Sequence, residues 1–223
     1  MKTSMLMAAA FALGGFFSAG TSAIACGNGK LILEDKFETL SPTWSFALKD
    51  ESRSNGPDGL VYKLNPGDGS FQLSNGSDLY DNYEVCAVFN TNIPENSKAD
   101  VGVVFWQNDS DNKYTFDLYP FDGVYELDRR KNSKWITPVG KTPSDAIQKG
   151  TNVTNEISVA VKDNKATFAI NGKNVTDFTG APPQGGSAFG FDMGVNDKDS
   201  GPSTLTLKSI QLREIEGQPS ASH

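Results

Sequence analysis

The chain has 223 residues, a formal net charge of −7 and 37% hydrophobic residues. That leaves room for one ordinary domain with a sizeable core, and its mostly scattered charges, with Arg129-Arg130-Lys131 as the one clear basic cluster and acidic neighbours around it, suit no nucleic-acid partner. The one histidine is the last residue, His223, which excludes Ser-His-Asp and Cys-His catalysis and His-based metal sites.

Residues 1–25 read as a secretory signal peptide. Lys2 supplies the positive start, Met5 to Phe17 an apolar run too short to span a bilayer, and Ala23-Ile24-Ala25 the small residues before cleavage. Removal leaves 198 residues (223 minus 25) starting at Cys26, and losing Lys2 takes the net charge to −8. No later stretch is apolar enough to be a transmembrane segment, so the expected address is the periplasm or the exterior. Cys26 and Cys86 form an even pair in an exported chain, which reads as a disulfide. The alternative is a lipid on Cys26, because Ala23-Ile24-Ala25 resembles a weak lipoprotein box that lacks its usual leucine.

From there on strand signals dominate. Runs rich in Val, Ile, Phe, Tyr and Thr fall near 31–37, 60–64, 70–74, 80–91, 99–107, 113–120 and 123–131. They continue near 154–162, 165–171, 173–178, 187–194 and 203–214. Asn75-Gly76, Asp122-Gly123 and Asn171-Gly172 are hairpin dipeptides. The one helical candidate lies near 143–149, with Thr142 as cap, Pro143 in the first turn and Gly150 as stop. The pattern predicts an all-β antiparallel sandwich or jelly roll over 26–216, followed by a disordered polar tail, 217–223.

The stretch VGVVFW, 101–106, is apolar on both faces and predicts a central strand with cover on each side. Centring the next turn on Ser110 sets Trp106 opposite Tyr114, Val104 opposite Phe116 and Gly102 opposite Leu118, as one apolar face. Val101, Val103, Phe105, Thr115, Asp117 and Tyr119 then share the other. The following hairpin has two registers. A three-residue loop sets Tyr125 and Arg129 beside Tyr119 and Thr115; a two-residue loop turns both toward the core.

The order ADVGVVFW, DSDNKYTFDL, DGVYELDRR, KW, then NEISVAVKDNKATFAINGKNV, GSAFGFDMG and STLTLKSIQL resembles the concanavalin-A-like lectin/glucanase superfamily. It is most similar to laminin-G-like modules and to bacterial 3-keto-disaccharide hydrolase-like domains, over roughly residues 31–214. The resemblance implies a concanavalin-A-like sandwich that binds carbohydrate, hydrolyses it, or serves adhesion.

For hydrolysis, the superfamily's Glu-x-Asp-x-x-Glu strand is absent. Glu126 and Asp128, or Asp117, are the nearest carboxylates, with no third acid on the face, and no catalytic residue is assigned. For calcium, Asp109 and Asp111 in Asn108–Asn112 offer alternating oxygens, and Asp192 with Asn196, Asp197 and Asp199 offers a second set. Both segments also read as turns, and calcium is the one cofactor the sequence could hold. For sugar, Asp117, Tyr119, Tyr125, Arg129 and Trp135 supply ring faces and hydrogen-bonding groups.

The resulting expectation is an exported protein that binds glycan on a concave sheet face without catalysis. A glycoside or 3-keto-disaccharide hydrolase is the second reading, and a structural or adhesion module the third. Carboxylates gathered in a groove favour hydrolysis; exposed parallel aromatics without them favour binding alone.

Overall fold

The computed structural model describes residues 26–46, 53–195 and 201–215. The expected signal peptide, the tail and the residues Asn196, Asp197 and Asp199 lie outside these. The strands, in chain order, begin with β1 (Leu31–Asp35), β2 (Trp44–Phe46), β3 (Arg53–Gly56), β4 (Gly59–Leu64) and β5 (Gly69–Tyr80). There follow β6 (Tyr83–Asn92), β7 (Asp100–Asp109), β8 (Asn112–Tyr119), β9 (Val124–Lys131) and β10 (Lys134–Pro143). The last five are β11 (Asn152–Lys162), β12 (Lys165–Ile170), β13 (Lys173–Thr179), β14 (Ser187–Val195) and β15 (Ser203–Glu214).

These strands form two antiparallel sheets. The eight-stranded sheet runs β13-β12-β11-β6-β15-β4-β3, with β1 also paired to β15. The seven-stranded sheet runs β10-β9-β8-β7-β14-β5-β2. The protein is thus an all-β jelly-roll sandwich. Alternation on each strand turns one set of side chains inward. Val85, Ala87 and Phe89 of β6 and Ile157, Val159 and Val161 of β11 enter the core from one sheet. Val101, Val103 and Phe105 of β7 with Phe116 and Leu118 of β8 enter from the other. Across the interface, Phe116 stacks on Phe168 of β12 with ring centroids 4.5 Å apart.

As expected, β7 sits at the centre of its sheet and is buried on both faces up to Gln107. Its register is not the expected one. Phe105 pairs with Tyr114, Val103 with Phe116 and Val101 with Leu118, while Gly102 pairs with Asp117. Val101, Val103 and Phe105 therefore belong with the core, opposite the face of Asp117. The cause is Trp106, whose φ of 44° is left-handed. Pairing resumes only at Asp109 with Asn112, so three residues, Trp106 to Asn108, stand against Lys113 alone. The bulge lets consecutive aromatics, Phe105 and Trp106, both reach the core, and the Trp106 amide donates to the Tyr83 hydroxyl at 3.3 Å.

The turn after β8 has four residues, because Tyr119 pairs with Val124. That gives the parity of the two-residue alternative. Tyr125 is 5% exposed and donates its hydroxyl to the Val175 carbonyl at 3.4 Å, on the core side. The helical candidate near 143–149 is no helix. Thr142 and Pro143 extend β10 against Tyr125 and Val124, and a single turn at Ser144–Ile147 then buries Ala146 and Ile147. A helix so short gains too little to nucleate against that pairing.

The disulfide is present between Cys26 and Cys86, 60 residues apart, and ties the start of the described chain to β6. Loop entropy places its contribution at about 4 kcal/mol. Replacing both cysteines with serine is expected to lower the unfolding free energy by up to that amount in urea titration, and an unchanged midpoint would refute it. Trp106→Ala removes a buried indole from the bulge and is expected to cost about 3–5 kcal/mol in the same assay.

Candidate functional site

The face of the seven-stranded sheet that points away from the core is a groove of about 790 Å³. Ladder pairing builds its floor. One row runs Gln72 on β5, Asp192 on β14, Gly102 on β7, Asp117 on β8 and Glu126 on β9. In the neighbouring row Ser70, Gly194 and Asp100 lie side by side. Toward the other end of the strands, Lys113 pairs with Arg130, and Arg130 with Trp135 of β10.

Gly102 makes the carboxylate cluster sterically possible. A Cβ there would stand 1.9 Å from Asp117 Oδ1 and 2.8 Å from the Phe116 carbonyl oxygen. Asp117 leans into the space the missing side chain leaves, between itself and Asp192. Asp100, Asp117 and Asp192 are each more than nine-tenths buried. Their Oδ1 atoms find no hydrogen-bond partner among the described residues, and neither does Gln107 Oε1.

Burial raises all three acids above the ordinary carboxylate range, and repulsion from neighbouring acids adds to it at Asp100 and Asp117. Asp100 is pushed up to about 8 by burial first and then by Asp192. Burial raises Asp192 to about 6, against the pull of Lys113. Asp117 is raised too, by burial and then by Asp192 and Asp100. Burial likewise lowers Lys113, and with Asp100 and Asp117 it drives the Tyr119 hydroxyl above its usual range. Tyr119 donates to Glu126 Oε2 at 3.1 Å, and Lys141 Nζ lies 3.7 Å from its ring centroid. At the rim Trp135 is half exposed, with Lys113 Nζ and Arg130 Cζ 5.6 and 5.7 Å from its ring centroid.

Of the residues the sequence singled out, Asp117, Tyr119 and Trp135 line this groove. Tyr125 and Arg129 do not, since the four-residue turn sends them to the other side of β9. Tyr125 is core, and the Arg129 guanidinium lies over the Tyr114 ring, 4.9 Å from its centroid. The single patch of Asp117, Tyr119, Tyr125 and Arg129 is therefore not formed. Asp109 and Asp111 shape the β7–β8 turn. Asp109 accepts from the Asp111 amide at 2.8 Å and from the Asn112 and Asn108 side chains, and Asp111 pairs with Arg130 at 2.9 Å. Among the described residues the one group of three potential metal ligands with converging atoms is Cys26, Glu84 and Cys86, and its cysteines are bonded to each other.

The sequence does not single out Asp100, and it offers Asp192 only as a calcium oxygen. The usable signal was a lone acid spaced by glycine on strands otherwise too apolar to face water, ADVGVV and AFGFDMGV.

No family model and no curated protein matches the chain. Solved structures do resemble it. The laminarinase catalytic domain from Thermotoga maritima MSB8 aligns with a TM-score of 0.60 at 9% identity, covering 86% of this chain and 100% of that one. The Bacillus licheniformis β-glucanase gives 0.59 at 11%, covering 85% and 100%. The carbohydrate-binding module CBM66 from Bacillus subtilis gives 0.58 at 10%, covering 77% and 96%. The fold is thus the concanavalin-A-like jelly roll.

The raised acids carry a pH signature. Between the ordinary aspartate value of 3.8 and about 8, folded Asp100 keeps a proton that the unfolded chain releases. Stability therefore falls as pH rises through that window and levels off above it. Asp100→Asn is expected to match the parent melting temperature near about pH 4 and to exceed it near about pH 8. Parallel melting curves across that range would contradict the assignment.

Proposed function

We propose that this chain binds carbohydrate in the groove of the seven-stranded sheet. The observation that carries the reading is the groove's composition. Buried carboxyls and the Gln72 and Gln107 amides cover its floor, and an exposed indole, Trp135, stands at the rim. Sugar hydroxyls need convergent donors and acceptors, and pyranose C–H faces need a flat aromatic wall. The unpartnered Oδ1 atoms are acceptors held ready for hydroxyl donors, since a buried acceptor left alone is costly. Proteins of this fold include a carbohydrate-binding module and glucan-cleaving enzymes, which agrees with the reading. The disulfide fits an oxidising compartment and supports an exported protein.

Hydrolysis is the second reading, and it is favoured by the carboxyls of Asp100, Asp117 and Asp192 gathered in the groove, the arrangement expected of a hydrolase. Asp100 is raised to about 8 and Asp192 to about 6 in the same groove. At neutral pH the first is a proton donor and the second a carboxylate, the two forms that glycosidic cleavage uses. Both carboxyls lie beside Gly102, one in its own row and one in the next.

Calorimetric titration of the protein with neutral and acidic oligosaccharides tests the first reading. Trp135→Ala is expected to weaken the tightest ligand several-fold without moving the melting temperature, because a stacking face of that kind contributes about 1 kcal/mol beyond area burial. No heat with any oligosaccharide would sink it. Release of reducing ends that disappears in Asp100→Asn would move the assignment to hydrolysis.

A further inference from the structure

A second pocket, of about 390 Å³, opens beside the groove where the Trp106 bulge leaves the sheet. The two share Asn108, Lys113 and Arg130 as lining residues. The character of the second is opposite. Lys113, Arg129, Arg130 and Lys131 line it, with no acidic side chain among its lining residues. A chain of net charge −7 has few reasons to gather four cations in one place.

The ladder makes the gathering sharper. Lys113 is the direct cross-strand partner of Arg130, and Tyr114 that of Arg129. Like charges facing each other across a ladder are destabilising unless something negative lies between them. Asp111 pairs with Arg130 Nη2 at 2.9 Å, and Asp192, Asp117 and Asp111 attract Lys113, so the uncompensated charge is that of Arg129 and Lys131. Among the described residues Arg130 Nε is buried with no acceptor, and so is Nε1 of Trp106, which also lines the pocket. Arg129 rests its guanidinium on the Tyr114 ring and pairs with no carboxylate among the described residues. A face-stacked guanidinium keeps its in-plane N–H groups free for a second partner. The pocket thus has surplus positive charge, buried donors without acceptors and a stacked arginine.

We infer that this pocket takes an anionic substituent, the carboxylate of a uronic acid or a sulfate ester, on a sugar whose neighbouring residues occupy the groove. The glycan half of this rests on the binding reading above; the anion half stands on the pocket alone. Arg129 holds the anion through its fork, Arg130 Nε supplies a buried donor, and Lys131 contributes charge at the mouth. Lys113, between the two cavities, meets the same ligand from the groove side.

Two measurements test it separately. In the first, sulfate and glucuronate are titrated against chloride at constant ionic strength while the three indole N–H resonances are followed, with Trp106 assigned by elimination using Trp44→Phe and Trp135→Phe. A saturable shift of the Trp106 resonance is expected, with affinity falling about 10-fold in Arg129→Gln, as loss of a charge-assisted hydrogen bond predicts. Lys131→Gln, at an exposed position, serves as the second variant should Arg129→Gln disturb the Tyr114 packing, and is expected to weaken the anion to a smaller degree. No saturable shift, or one unchanged in both variants, overturns the anion pocket. The second compares oligogalacturonate and chondroitin sulfate oligosaccharides with neutral laminari-oligosaccharides. Preference for the acidic chains that vanishes in Arg129→Gln supports the full inference. Anion binding with equal affinity for neutral and acidic chains overturns its glycan half alone. Anion binding with no oligosaccharide bound at all overturns the groove reading and leaves the pocket standing.

Discussion

The left-handed backbone at Trp106 is the constraint on which the rest of the seven-stranded sheet depends. Regular alternation would force one of two adjacent aromatics, Phe105 and Trp106, out of the core. The bulge instead admits both, and their rings pack 5.3 Å apart. That choice sets the register of everything beyond it. Phe105 falls opposite Tyr114, so Gly102 falls opposite Asp117 and the odd-numbered residues of β8 face the groove. Slipping the ladder by one residue would bury Asp117 in the core and drive Phe116 into the groove. Apolar packing on one face thus decides which polar groups meet on the other.

The polar side works against stability. Three aspartates share a floor nine-tenths buried, and burial raises all of them above the ordinary carboxylate range, Asp100 further than Asp192. A few side chains away, cations face each other across the ladder. Acid cluster and basic cluster meet through Lys113, which stands four residues from Asp117 on β8 and attracts Asp192, while Arg129 pairs with no carboxylate among the described residues. Such unreconciled charge is what binding sites retain when a ligand supplies the missing partner.

Much of the architecture was legible in the chain. Hydrophobic alternation and the turns at Asp122-Gly123 and Asn171-Gly172 give most of the strands, whereas Asn75-Gly76 lies inside β5, where Asn75 pairs with Phe189 and Trp44, and the doubly apolar VGVVFW stretch announces the sheet's centre. Strand β10 escaped notice because KWITPVGKTP carries two prolines. The ladder tolerates Pro138 inside a register shift and Pro143 at the strand end, both at an edge. The faces were harder. Parity depends on bulge and loop length, and neither the φ of Trp106 nor the four-residue turn at Pro120–Gly123 is written in hydrophobicity. Hence Asp117 and Tyr119 were placed together in the groove, while Tyr125 and Arg129 were read one face too far. Asp100 and Asp192 were obscured for another reason. An acid in an apolar run looks like a strand end until pairing shows that it lies mid-sheet.

Strand β10 carries one more consequence. It is the outermost strand of its sheet, is exposed along most of its length and bears Trp135 and Ile136 in the open. An uninterrupted edge of that kind would template cross-molecule pairing, and a sticky aromatic rim would favour it. Here two register breaks, two prolines and the cations Lys134 and Lys141 deny an incoming strand any long run of matched amides. The same irregularity that hid β10 in the sequence lets the molecule keep an apolar lip beside its groove without seeding aggregation.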